Sequence, residues 1–171
     1  MRKLWSTAGL AMLLSLAGCG TVFLPWAETT VAAFDPAAPK DPAPKASLFE
    51  NTAYGYQLWY GATSAAAFLG VFLLLVVTGP LQPTPPWRSA ALLAAGVAVL
   101  AVIVAGMALP PPAFRSNPEA GRLILGVSWG LGQHLALGLA GGLTLLGALE
   151  LRGWVGGRIR QGVEPGEPGP G

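Results

Sequence analysis

Residues 89–109 read SAALLAAGVAVLAVIVAGMAL, and Pro110, Pro111 and Pro112 follow at once. From Ala90 to Leu109 no side chain is more polar than the Met107 thioether. A hydrocarbon layer about 30 Å thick needs ~20 helical residues, because every backbone N–H and C=O must be satisfied there without water. This run meets that requirement, and three successive prolines forbid its continuation. It reads as a membrane-spanning helix.

Working outward, three more runs of the same kind are found at residues 4–24, 58–78 and 123–149, none with Asp, Glu, Lys or Arg in its interior. The expected fold is therefore all-α, a polytopic four-helix transmembrane bundle. Between the runs lie a short N-terminus at 1–3, a Pro-rich and aromatic outer loop at 25–57, a turn at 79–88 and a second outer loop at 110–122. Residues 150–171, Gly-, Pro- and Glu-rich after Trp154, read as a disordered cytoplasmic tail. Composition agrees: 53% of the 171 residues are hydrophobic and 11% charged, against roughly 25% charged in a soluble domain. A net charge of +2 is too small for a nucleic-acid surface, so no nucleic-acid partner is expected.

The six tryptophans supply an independent signal, since Trp prefers the headgroup level. Trp5 and Trp26 bracket the first run, Trp59 opens the second, Trp87 precedes the third, and Trp129 and Trp154 bracket most of the fourth. Tyr54, Tyr56 and Tyr60 cluster with Trp59, as an aromatic girdle or a small outer contact site. Orientation follows from Lys and Arg. With the N-terminus inside, Arg2, Lys3, Arg88, Arg152, Arg158 and Arg160 are cytoplasmic, and Lys40, Lys45, Arg115 and Arg122 are outside. The expected location is a bacterial-type inner membrane, multi-pass, with both termini cytoplasmic.

The N-terminus carries two readings. Leu16-Ala17-Gly18-Cys19 after a basic start and an apolar run resembles the lipobox of a bacterial lipoprotein signal peptide. That resemblance implies cleavage before Cys19, lipidation of its thiol and only three spanning helices. The apolar run nevertheless continues past Cys19 through Val22, Phe23, Leu24 and Trp26, longer than the 7 to 15 residues usual for a cleaved h-region. The other reading retains the segment as a spanning helix with Cys19 as a small packing residue.

In the first outer loop Pro36, Pro39, Pro42 and Pro44 recur at spacings near three, so residues 35–45 are expected as extended polyproline II, a stiff connector. In the fourth run, Gln133 and His134 are the strongly polar interior groups, and Gly126, Gly130, Gly138 and Gly142 recur in steps of four around them. Such a series forms a small-residue groove for helix packing, with Ala94, Ala98 and Gly106 as a matching face on the third helix. An intramembrane imidazole raises a proton-carrying role as the alternative to an interhelical hydrogen bond.

Chemistry-bearing signatures are absent. One His and one Cys do not supply a bis-histidine haem site, a four-ligand zinc site or a dithiol pair. No GxxxxGK[ST] loop and no serine nucleophile elbow occurs. No enzyme activity, catalytic residue, metal or cofactor is expected. The four-helix order with a larger first outer loop is similar to claudin-type topology, although the paired loop cysteines of that group are missing. The expected function is non-enzymatic: an accessory, assembly or interaction subunit whose partners are the lipid bilayer and other membrane proteins, or a second copy bound through the fourth helix. The rival expectations are an oligomeric transporter or channel component, with Gln133 and His134 lining its path, and a lipid-anchored envelope protein modified at Cys19.

Overall fold

A computed structural model describes residues 7–33, 47–78, 86–109, 114, 116, 117, 119 and 122–161. In chain order the elements are α1 (Thr7–Gly20), a 3₁₀ turn (Thr21–Phe23), β1 (Pro25–Ala33), β2 (Ser47–Tyr54), a second 3₁₀ turn (Gly55–Gln57), α2 (Trp59–Thr78), α3 (Pro86–Ala108), β3 (Arg122–Trp129) and α4 (Leu131–Gln161). The expected polyproline stretch 35–45, most of the turn 79–88, the proline block 110–112, the tail beyond 161, and Arg2, Lys3 and Trp5 lie outside the described residues.

Helix packing follows from a narrow repeat. On α2 the buried positions include Tyr60, Ser64, Phe68, Val71, Leu75 and Thr78, and on α3 Leu92, Gly96, Val99, Ile103 and Gly106. Steps of three and four keep one seam facing inward, the signature of side chains interlocking between helices that cross at a shallow angle. The same spacing places Ala136, Ala140 and Leu143 of α4, and Ala11, Ser15 and Gly18 of α1, in the core. Each helix packs on the next, α1 on α2, α2 on α3 and α3 on α4, and α4 closes the ring on α1.

Outside the seam the helices remain apolar: Leu69, Leu73, Val76 and Val77 on α2, Val97 and Val104 on α3, and Leu145 and Leu149 on α4 are exposed. A helix in water carries polar groups on that side. Three helices, Trp59–Thr78, Pro86–Ala108 and Leu131–Gly156, are long and apolar enough to cross a membrane. The run Thr7–Phe23 is apolar but shorter.

The chain is mostly helical, yet all-α is corrected by a three-stranded antiparallel sheet in the order β2-β1-β3. Two strands arise within the first outer loop. The third takes residues 122–129, most of which were expected to begin the fourth helix. Leu123, Ile124, Leu125 and Val127 continue the apolar run of α4 without a break in composition, and a short apolar run fits a strand as well as a helix. What decides it is pairing: Thr29 stands opposite Val127, and Val31 opposite Ile124. Leu125 is an extra residue between the Thr30–Gly126 and Val31–Ile124 pairs, a bulge. Gly130 then turns the chain into α4, donating its N–H to the Trp26 carbonyl at 2.8 Å. A Cβ there would collide with the Pro25 carbonyl, so β1 and the start of α4 meet only because the residue is glycine. Helix α4 begins eight residues later than expected and runs on to Gln161, so residues 150–161 are helix rather than tail.

Candidate functional site

The sheet covers one end of the bundle. Its inner face brings Ala27, Ala53, Ile124 and Trp129 onto the core. Trp26 is the plug beneath it. Only 1% of its surface is exposed, its Nε1–H donates to the Thr21 carbonyl at 2.7 Å, and its ring lies 5.7 Å from that of Tyr60. Trp26 and Tyr60 thus sit inside the bundle and not on its surface, where an aromatic girdle would place them. Tyr54 and Tyr56 remain outside, stacked at 5.9 Å, and Trp59 is half exposed.

The outer face of the sheet is ordered in rows by the register. Thr52, Glu28 and Ser128 form one row, and Glu50, Thr30 and Gly126 the next. These six residues, with Thr29 and Val127, line an open concavity of about 410 Å³. Two carboxylates and three hydroxyls thus face one surface, and Gly126 leaves it unobstructed. The third row, Leu48, Ala32 and Leu123, is apolar. Leu48 exposes 66% of its surface and the bulged Leu125 61%. Sheet edges left open invite added strands, and here one is partly closed: Asn117 pairs with Arg122, and the Ile124 N–H donates to Ser116 Oγ at 3.0 Å.

At the opposite end of the bundle, α3 and α4 are joined by a buried ion pair. Arg88 Nη2 lies 3.4 Å from Glu150 Oε1, and Ser89 Oγ donates to Glu150 Oε2 at 3.0 Å. In the sequence Arg88 reads as a loop charge, and nothing local singles out Glu150. The available signal was one acid and one base at facing ends of two adjacent antiparallel runs.

Gln133 and His134, adjacent in sequence, separate in space. Gln133 is wholly buried, and neither its Oε1 nor its Nε2 has a hydrogen-bond partner; the Tyr60 hydroxyl is likewise enclosed and unpartnered. His134 faces outward, with Nδ1 2.9 Å from the Gly130 carbonyl one turn earlier. Gly126 lies in β3, away from any helix face, and Gly138 meets nothing within 4 Å. A Cβ added to Gly142 would meet Leu14 of α1 at 3.2 Å. The glycine series is thus not the α3–α4 seam. That close approach is made at Gly96, against Thr144, and at Gly147, against the backbone of Leu93 and Ser89. Ala94 and Ala98 are exposed, and Gly106 receives the Tyr60 ring rather than α4. Cys19 sits on α1 with Sγ 3.6 Å from the Ala65 carbonyl of α2.

No protein-family model and no curated protein matches this chain. Its chemistry is read from its own residues alone. Among the described residues no group of three His, Cys, Asp or Glu side chains stands together as a metal site. The middle of the bundle is filled by Phe68, Val71, Val99, Ala140 and Leu143. The Ser15, Ser64 and Thr144 hydroxyls donate to carbonyls of their own helices; Gln133 and Tyr60 stand at the end under the sheet and Arg88, Ser89 and Glu150 at the end far from it.

Proposed function

We propose that this protein is a multi-pass membrane protein with four spanning helices and cytoplasmic termini, acting as a binding or assembly subunit through its outer sheet. The observation that carries the reading is the sheet itself. It ties the segment before α2 to the segment before α4 and turns two connections into one rigid surface, with a polar concavity beside an apolar row. Contact surfaces combine apolar area with polar groups that fix register, and rigid strands hold such groups better than loops do. The closed apolar middle of the bundle favours this over conduction through a single copy, since transport paths keep polar or broken helices near mid-bilayer.

Retention of α1 as the fourth span is supported by its packing. Ala11, Ser15 and Gly18 are buried, and Gly18 lies against the Phe68 ring. Cleavage before Cys19 would strip that face from α2 and α4. Intact-mass measurement tests it: the reading fails if the protein lacks residues 1–18 and carries a diacylglyceryl mass on Cys19.

The binding role is tested by placing a photo-crosslinking amino acid at Thr52 or Leu48 in intact membranes. A discrete adduct with one membrane protein, or with a second copy, is the expected outcome. A solute or proton flux in reconstituted vesicles that His134→Ala abolishes, with no adduct from the sheet, would overturn it in favour of transport.

A further inference from the structure

Beyond the Arg88–Glu150 pair, an apolar groove of about 540 Å³ runs along α4 beside α3. It is lined by Leu93 of α3 and by Ala148, Leu151, Arg152, Val155 and Gly156 of α4. The α4 positions follow one another in steps of three, one, three and one, which places them on a single helix face roughly 12 Å long. Arg152 is the one charged residue lining the groove. Its neighbour in sequence order, Glu150, does not neutralise it, because both Glu150 oxygens are taken by Arg88 and Ser89. Among the described residues Arg152 has no acidic partner.

Depth in the bundle fixes what fits. Glu150 is level with the first turn of α3, since it reaches Arg88 and Ser89. Arg152 lies two residues further toward the end of the bundle, level with the exposed Trp87 and close in sequence to Trp154, the aromatics expected at headgroup depth. Leu93 and Ala148 lie toward the bundle middle. Arg152 lies midway along the groove, with Leu93, Ala148 and Leu151 inward of it and Val155 and Gly156 outward. The inward half, apolar below a cation at headgroup depth, matches an acyl chain below a phosphate, and arginine is suited to phosphate recognition.

We infer that this groove is a binding site for an anionic glycerophospholipid of the cytoplasmic leaflet, its phosphate on Arg152 and one acyl chain along Ala148, Leu151 and Leu93. The inference rests on the membrane topology proposed above. One basic side chain at a membrane surface favours anionic over zwitterionic lipid by about fivefold.

Native mass spectrometry of the full chain in mild detergent, with phosphatidylglycerol or phosphatidylcholine added, tests it. The wild-type protein is expected to retain phosphatidylglycerol about fivefold better, Arg152→Lys to keep part of that preference, and Arg152→Gln to lose it. Ala148→Trp fills the groove and is expected to lower retention of both lipids. Equal retention of the two lipids by the wild-type protein, or an unchanged preference in Arg152→Gln, overturns the site. Glu164 and Glu167 are the competing acids: if the wild-type protein retains the two lipids equally and a Glu164→Gln, Glu167→Gln variant gains the preference for phosphatidylglycerol, those acids and not lipid occupy Arg152 in the wild-type protein. Alkaline carbonate extraction separates this from the topology, because release of the chain from membranes defeats the membrane reading, whereas a firmly embedded chain without lipid preference defeats only the groove.

Discussion

Arg88 and Glu150 join α3 to α4 at the end of the bundle remote from the sheet, with Nη2 and Oε1 3.4 Å apart and the guanidinium-bearing side chain only 2% exposed. Enclosed charges are costly to separate, and their mutual attraction chiefly offsets the loss of water. Glu150→Leu strands the buried guanidinium and is expected to destabilise the protein by about 3–5 kcal/mol. Adding Arg88→Met should restore most of the loss, since an apolar pair of similar volume needs no hydration. Thermal unfolding in detergent of the two single variants and the double variant reads this directly. If the double variant is no more stable than Glu150→Leu, the pair does not behave as a coupled unit.

Gln133 and the Tyr60 hydroxyl are enclosed without hydrogen-bond partners. Leaving a buried polar group unsatisfied costs roughly 1–3 kcal/mol, so replacing it by an apolar group of similar shape is neutral or stabilising. Gln133→Met and Tyr60→Phe are therefore expected to hold or raise the unfolding temperature. A clear fall in both would mean that ordered water or a bound partner satisfies these atoms.

Two glycines of α4 make a matched comparison. Gly147 lies against the backbone of α3, whereas Gly138 meets nothing within 4 Å. Gly147→Val should force the helices apart and cost about 1–3 kcal/mol or more, as overpacking does. Gly138→Val should leave the unfolding of a single copy unchanged. If Gly138→Val instead dissociates an oligomer on size-exclusion chromatography, the outward glycine serves contact between copies.

Trp26 closes the sheet end of the core. Trp26→Ala opens a large cavity there and is expected to cost about 3–5 kcal/mol. Trp26→Phe keeps much of the volume and loses the 2.7 Å hydrogen bond to Thr21, a loss of about 1 kcal/mol. Chemical denaturation of both variants, with collisional quenching to confirm that Trp26 is the shielded indole, checks the order.

The helical runs were legible because membrane length and lack of charge act locally, within each run. The first outer loop was not. Thr29 and Val31 on β1 sit among alanines and prolines that carry little strand signal, and their partners lie elsewhere: Asn51 and Phe49 across one ladder, Val127 and Ile124 across the other. In the sequence Gln133 and His134 stand out only as polar groups in an apolar run, which is all that composition reports. Whether each faces the core or the outside depends on the rotation of α4, and that is set by Gly147 and Thr144 packing on α3.

The sequence by itself determined the helical character and the three long apolar helices, because these follow from composition within single segments. Only the tertiary structure decided that residues 122–129 are a strand, that Trp26 is a core plug, that Arg88 and Glu150 pair, and that the glycine series is not the seam. Each of those depends on atoms brought together from distant parts of the chain, where hydrogen-bond pairing and close packing, not local hydrophobicity, set the outcome.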